Sequence, residues 1–168
     1  MRISMYQASA PRFAHTLRNL SAILDKAQAY AEAKKLEPSV LGAQRLIADM
    51  FPLARQVQIA CDTAKGAVAR LAGVEIPQHA DTEQTIPELK ARIAKVLEFI
   101  ESVPAAKLEG SDEREVVMKM RGQDMKFQGF QYLAGHALPN FYFHVTTAYN
   151  ILRSNGVEIG KRDYLNFS

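Results

Sequence analysis

PNFYFHVTTAYNILRSNG, residues 139–156, decides the fold prediction, because this stretch carries the signals of a helix with a defined start and end. Pro139 suits a first helical turn, where its missing N–H would have no partner, and Gly156 suits the left-handed position that ends a helix. Apolar residues recur in the stretch at steps of three or four: Phe141, Val145, Ala148 and Leu152. This period predicts an α-helix with one buried stripe.

Three further helices are predicted upstream from the same period. The first covers residues 4–35. Another begins at the capping box Thr85-Ile86-Pro87-Glu88, in which the threonine side chain and the glutamate side chain each bond a free N–H of the first turn, and it ends before Pro104. With a helix over residues 51–72, which Gly73 terminates, the chain has four long helical segments.

The period changes to two between Arg114 and Phe127, with Gly122 near the middle, which predicts a β-hairpin. The tail, residues 157–168, is predicted to be irregular. The sequence therefore predicts an all-α protein, a single domain over residues 1–168. Its architecture is a four-helix bundle with a small β-hairpin inserted before the last helix.

Composition is that of a folded protein of ordinary size, with 48% hydrophobic and 23% charged residues among 168. No run approaches the roughly 18 apolar residues of a spanning helix, and the N-terminus lacks the apolar segment of a secretory signal. The net charge of +3 is spread among acids without a basic cluster, so no nucleic-acid or membrane partner is predicted. The single cysteine, Cys61, offers no disulfide framework and indicates a reducing, cytoplasmic location.

Two pairs of polar residues lie beside apolar stripes at helical spacing. Asn140 and His144 are four residues apart, which places an amide and an imidazole one above the other. Gln58 and Asp62 have the same spacing on the helix over residues 51–72. A solvent-facing position is the simpler interpretation of the second pair, since such residues are rarely fully buried.

Metal chemistry has few candidates, because the chain has four histidines and one cysteine. A catalytic zinc or nickel site needs about three protein ligands. His136 and His144 would lie about 12 Å apart along a continuous helix and could not share one ion. His144 with Asp62, joined by His15 from the first helix, is a conceivable ligand set in a bundle core.

The simpler alternative is that His144 is hydrogen-bonded between helices, with Asn140 or Gln58 as its partner. Cys61, among alanines, is typical of a small core residue more than of a nucleophile. No Ser-His-Asp spacing, glycine-rich phosphate loop or metalloprotease motif is present.

Two blocks carry a family resemblance: PNFYFHVTTAYNILRSNGVEIGKRDYL, residues 139–165, and FPLARQVQIACDTAKGAVARLAG, residues 51–73. They resemble the DinB/YfiT-like superfamily of metalloenzymes, in particular a bacterial branch of unknown function, and the resemblance extends over nearly the whole chain. It implies a four-helix bundle, usually a homodimer, in a bacterial cytoplasm. Better-known members bind a divalent metal through three histidines, one on helix two and an H-x-x-x-H pair on helix four. Some act as thiol transferases or isomerases.

Carried over to this sequence, the resemblance keeps one of the three histidines. His144 matches the second histidine of the pair, Asn140 the first, and the helix-two histidine falls at or near Gln58. The implied site is a degenerate metal pocket formed by Gln58, Asp62, Asn140 and His144.

Three functions follow as hypotheses. The first is a non-catalytic or small-molecule-binding protein. The second is a metal-dependent thiol transferase or isomerase, in which His144 and Asp62 hold a divalent ion (Zn, Ni or Mn) that acidifies a bound water or thiol. The third is a dimeric interaction module built on an apolar helix face.

Overall fold

Residues 3–120 and 122–166 are described by the computed structural model, and most of them are helical. In chain order the helices are α1 (Met5–Ala8), α2 (Ala10–Ala33), α3 (Val40–Ala43), α4 (Leu53–Ala72), α5 (Ile86–Ser102), α6 (Gly129–Tyr132), α7 (Leu138–Ser154) and α8 (Lys161–Leu165). The two strands, β1 (Glu115–Met120) and β2 (Gln123–Gln128), precede α6. The prediction of a mainly helical protein with an inserted hairpin is confirmed.

Helix α4 lies at the centre of the packing, in contact with α7 on one side, α5 on another and α2 along part of its length. Helix α2 packs in turn on α5 and α8. The stripe predicted on α7 is fully buried, and its Phe141 meets Phe13 of α2 edge to face, with 4.9 Å between the ring centroids. The apolar faces of all four long helices therefore share one core.

Helix ends follow their local chemistry. Gly73, with φ +66°, takes the left-handed conformation that terminates α4. At the start of α5 the Glu88 carboxylate accepts the backbone N–H groups of Gln84 and Thr85, each at 2.9 Å. These hydrogen bonds lower the pKa of Glu88, since they favour its charged form.

The hairpin is antiparallel, with Val116 opposite Phe127 and Met118 opposite Met125. Gly122 supplies the positive φ of the tight turn, at +81°. Val116 is buried against the helices, whereas Val117 on the other face of the strand is exposed. The hairpin therefore rests on the helical core by one face, as two isolated strands require.

The segment before α7 is a helix of changing pitch. After α6, residues Leu133–Ala137 form a π-helical turn, and the N–H of Leu138 bonds the carbonyl of Leu133. Pro139 has no N–H to offer the carbonyl of Gly135, and its ring would press on that carbonyl in a regular helix. The wider turn accommodates the proline and allows α7 to begin beside it.

The prediction of an irregular tail is wrong for residues 161–165, which form α8. The carboxylate of Asp163 accepts the backbone N–H of Gly160 at 2.7 Å and pairs with Lys26 of α2 at 2.6 Å. An acid three residues into the segment is a capping signal that the sequence contains. Among the described residues, no helix has both the length and the hydropathy needed to cross a bilayer.

Candidate functional site

Polar side chains occupy two opposite faces of α4. A helix turns about 100° per residue, so Gln56 and Thr63, seven residues apart, share the face toward α7. Gln58 is about 200° from Gln56 and, with Asp62, faces α5 and the loop before it. We call the first group the seam (Gln56, Thr63, Asn140 and His144). The second is the Arg92 cluster (Arg92, Asp62, Lys65, Asp81 and Glu83).

His144 is held by a hydrogen bond across the seam. His144 is 8% exposed, and Nδ1 of its ring lies 2.7 Å from Oε1 of Gln56. The Gln56 amide has a fixed orientation, because its Nε2 donates to the carbonyl of Phe51 at 3.0 Å. Since Oε1 can only accept, Nδ1 of His144 carries the proton and donates it.

The imidazole of His144 is neutral at neutral pH. Burial lowers its pKa below the ordinary 6.5, and the positive charge of Arg55 lowers it further. With Nδ1 protonated, Nε2 carries the lone pair, and it makes no hydrogen bond within the described part of the chain. The seam therefore presents one basic nitrogen.

Asn140 takes a different partner from His144. Its Nδ2 donates to the hydroxyl of Thr63 at 2.9 Å, one turn of α7 away from the imidazole. Gln56 meets His144, whereas Thr63, later on α4, meets Asn140, earlier on α7, so the two helices run antiparallel. The seam is two side-by-side hydrogen-bonded pairs that join α4 to α7.

The Arg92 cluster surrounds a guanidinium that is 1% exposed. Nη2 lies 2.9 Å from carboxylate oxygens of both Asp62 and Asp81, and Nη1 lies 3.1 Å from Glu83. Nη1 also donates to the carbonyl of Ala80 at 2.9 Å. Since residues 74–84 have no regular secondary structure, these bonds fix the loop against α4 and α5.

Asp62 is a member of the Arg92 cluster, and Gln58 is hydrogen-bonded to the cluster. Nε2 of Gln58 donates to Glu83 at 3.0 Å, and Asp62 also pairs with Lys65 at 2.9 Å. Cys61 lies beside the cluster and is fully buried, which raises the pKa of its thiol to about 12 and leaves it protonated at neutral pH.

The structure thus brings Asn140 and His144 to one face of α4, and Gln58 and Asp62 to the opposite face. The residue that meets His144 is Gln56, which sequence reasoning missed. Its position, three residues after Leu53 and four before Ala60 in the buried stripe, was the available signal. His15 lies elsewhere, with Nε2 2.9 Å from the carbonyl of Leu165.

The donors around His144 do not fit the three-histidine ion site that the family resemblance implies. Beside its imidazole the seam offers carboxamides and a hydroxyl, which are neutral, and zinc in proteins takes thiolate, imidazole or carboxylate ligands. The one nearby carboxylate considered as a ligand, that of Asp62, points away and is ion-paired. No group of three His, Cys, Asp or Glu within residues 3–120 and 122–166 could hold an ion.

An open cleft of about 430 Å³ lies on a different side of α7. Residues of α2, α7 and α8 line it, among them Tyr142 and Tyr164. Tyr142 precedes His144 by two residues, so it projects about 200° away from the seam. The cleft and the seam are therefore separate features.

Comparison with known proteins identifies the family to which this fold belongs. Residues 5–165 match the family model described as a domain of unknown function, DUF1993. A crystal structure of a DinB family member from Shewanella denitrificans is 49% identical, covers 95% of this chain and 90% of its own, and superposes with a TM-score of 0.89. A search of curated proteins finds no match. The predicted resemblance is confirmed: the chain belongs to the DUF1993 family and is a DinB-type protein.

Proposed function

We propose that this DinB-type protein binds a small molecule without the metal-dependent transferase chemistry found in better-known members. The observation that carries the proposal is the 2.7 Å hydrogen bond between His144 Nδ1 and Gln56 Oε1. It uses Nδ1 for a neutral amide and leaves Nε2 as the ring nitrogen that could meet an ion, and among the described residues no group of three His, Cys, Asp or Glu forms an ion site there.

The ligands within reach of Nε2 of His144 are too weak and too few for an ion. An ion on Nε2 of His144 would find Asn140 as its neighbour on α7, and a neutral amide is a poor zinc ligand. Drawing Asp62 inward would break its pairs with Arg92 and Lys65 and would require α4 to rotate. One imidazole alone is too few ligands for a stable site.

Metal content tests the proposal. Purified protein is incubated with zinc, nickel or manganese, passed through a desalting column and measured by elemental analysis, alongside His144→Gln and the matched control His136→Gln. We expect well under one equivalent of each metal in all three proteins. About one equivalent of metal, lost in His144→Gln and kept in His136→Gln, would overturn the proposal and support the transferase alternative, with His144 as a ligand.

Three finer features belong to the same proposal. The four long helices α2, α4, α5 and α7 share one core, which supports a four-helix bundle of the DinB type. The single, buried Cys61 fits a reducing bacterial cytoplasm. The cleft lined by Tyr142 and Tyr164 is of the size that small-molecule sites have, and it supports the ligand-binding part.

A homodimeric interaction module is the second candidate, because apolar side chains are exposed in the segment before α4. Ile47 is 60% exposed and Phe51 is 54% exposed, with Leu46 beside them at 42%. Such a group is typical of an interface. Light scattering should show a dimer that Phe51→Lys converts to monomer, whereas Phe130→Lys, at another exposed phenylalanine, leaves it intact. A wild-type monomer at high concentration would contradict this candidate.

A further inference from the structure

The cleft between α2, α7 and α8 has a preformed wall. Asn19 of α2 donates to the carbonyls of Tyr164 and Leu165, at 3.0 and 3.1 Å, and the hydroxyls of Tyr164 and Thr146 lie 2.9 Å apart. These bonds fix α8 on α2 and α7. A ligand therefore pays little to order this wall on binding.

Arg12 lies at the cleft, and its side chain has no partner among the described residues. Arg12, in the first turn of α2, is exposed, and its guanidinium makes no ion pair or hydrogen bond with the described residues. No Asp or Glu in the described part of the chain lines the cleft. The guanidinium of Arg12 presents a planar pair of donors that matches a carboxylate.

Thr16 adds a polar group to the floor, one turn along α2 from Arg12. The residue is 6% exposed and lines the cleft, and its hydroxyl makes no hydrogen bond within the described part of the chain. Its oxygen is not sealed off, because the one enclosed side-chain polar atom without a partner among the described residues is Nε of Arg92. The hydroxyl is therefore accessible from the cleft and has no partner in the described part of the chain.

Part of the remaining lining, which also includes Gln7 and His15, suits an apolar group. Tyr142, Tyr164 and Leu165 line the same cleft. The Tyr164 ring is further oriented by an edge-to-face contact with Tyr149, with centroids 5.9 Å apart. Rings fixed in this way offer a planar, low-entropy surface for an aromatic ligand.

We infer that the cleft binds a small organic carboxylate with an aromatic or other apolar body. The carboxylate accepts paired hydrogen bonds from Arg12 and one from the hydroxyl of Thr16, and the body packs on Tyr142 and Tyr164. The inference rests on the small-molecule part of the proposed function and is independent of the metal question.

Phenylacetate is a suitable probe, with phenylacetamide as its neutral isostere and inorganic phosphate as an anion without an apolar body. Titrations followed by NMR should show saturable binding of phenylacetate, with shifts at Tyr142 and Tyr164. The amide and the phosphate should bind at least about tenfold more weakly, as expected for loss of a charge-assisted contact or of the buried ring.

Variants assign the contacts. Arg12→Gln should weaken phenylacetate binding by about tenfold or more and Thr16→Val by a few-fold, while Arg18→Gln, on the same helix and paired with Glu101, should leave it unchanged. Absence of saturable phenylacetate binding, equal binding of phenylacetamide, or an unchanged affinity in Arg12→Gln would each overturn the inference. None of these results would alter the metal measurement, so the two proposals fail separately.

Discussion

The two faces of α4 bury polar groups in different ways. Toward α7, the seam uses neutral partners in one-to-one hydrogen bonds, with Gln56 on His144 and Thr63 on Asn140. Toward α5, the Arg92 cluster uses full charges that share partners. The seam aligns two regular helices, whereas the cluster attaches a loop without regular structure. The carboxylates of the cluster, which could serve as metal ligands, are therefore ion-paired with Arg92. They hold the loop on the face of α4 away from His144.

The charges also explain why the cluster tolerates burial. Arg92 is almost fully enclosed, but Asp62 and Asp81 keep about 40% of their side-chain surface exposed. Their partial hydration reduces the desolvation penalty that a fully buried ion network would carry. The seam needs no such access to water, because its groups are uncharged.

The largest expected effect comes from removing the central cation. Arg92→Leu keeps much of the volume but leaves Asp62, Asp81 and Glu83 facing one another, so we expect the free energy of unfolding to fall by about 3 kcal/mol. This value is at the lower end for buried pairs because two of the carboxylates can rehydrate. Urea unfolding at neutral pH measures it. A loss no greater than that of Arg18→Leu, at an exposed ion pair, would show that the cluster does not secure the loop.

The seam should respond less, and in a way that is specific to His144. Gln56→Leu removes the acceptor of a buried N–H, and we expect a loss of about 1–2 kcal/mol in urea unfolding. The matched change Gln58→Leu, two residues away, acts on the Arg92 cluster. The histidine NMR signals of His144 should therefore move in Gln56→Leu and stay in place in Gln58→Leu. The reverse pattern would contradict the assignment of the two faces.

The pH dependence distinguishes the faces further. The pKa of His144 is lowered in the folded state by burial and by Arg55, so below the ordinary pKa of 6.5 the unfolded chain binds more protons. The stability contribution of neutral His144 is present above that pH and is lost as the pH falls. Unfolding free energies measured from neutral pH downward should decline less steeply in His144→Gln than in wild type. His79, whose pKa burial and Lys65 also lower, accounts for part of the remaining slope. An unchanged slope in His144→Gln would contradict a buried neutral imidazole.

The smallest effect is expected at the second pair of the seam. Asn140→Ala removes the hydrogen bond to Thr63 at a half-buried position, which should cost about 0.5–1 kcal/mol. Asn150→Ala, at an exposed position of the same helix, is the control and should have no measurable effect. Equal losses in thermal or urea unfolding would mean that Asn140 is not bonded as described.

Much of the fold could be predicted from the sequence because its signals are local. The period of the α7 stripe, Gly73 at the end of α4, the capping box at Glu88 and the alternation around Gly122 each determine their own element. The π-helical turn before Pro139 was harder to predict, because the proline marks a break in the helix without specifying which pitch replaces it. Helix α8 carries a capping signal at Asp163 but is too short for a period.

The candidate site could be predicted only in part. Asn140 and His144 share a face by spacing alone, as predicted. Which residue of α4 meets His144 depends on the rotation of α4 about its own axis. Gln56 and Gln58 are two residues apart and therefore lie on opposite faces, so the sequence could not distinguish between them. Arg92 lies three residues after Leu89, in line with the buried stripe of α5, but a charged residue is not expected to be buried. It is buried because the loop before α5 brings Asp81 and Glu83 over it, and this loop position is seen only in the tertiary structure.

The state of the His144 ring is the most direct test of the central claim, that a neutral imidazole bonded to Gln56 stands where a metal ligand would be. A long-range ¹H–¹⁵N spectrum of the imidazole at neutral pH, recorded before and after an equimolar addition of zinc, reports the tautomer and any ligation together. The structure predicts a neutral ring protonated on Nδ1, with an Nε2 signal that zinc leaves unchanged. A ring protonated on Nε2, or an Nε2 signal that shifts with stoichiometric zinc, would contradict it.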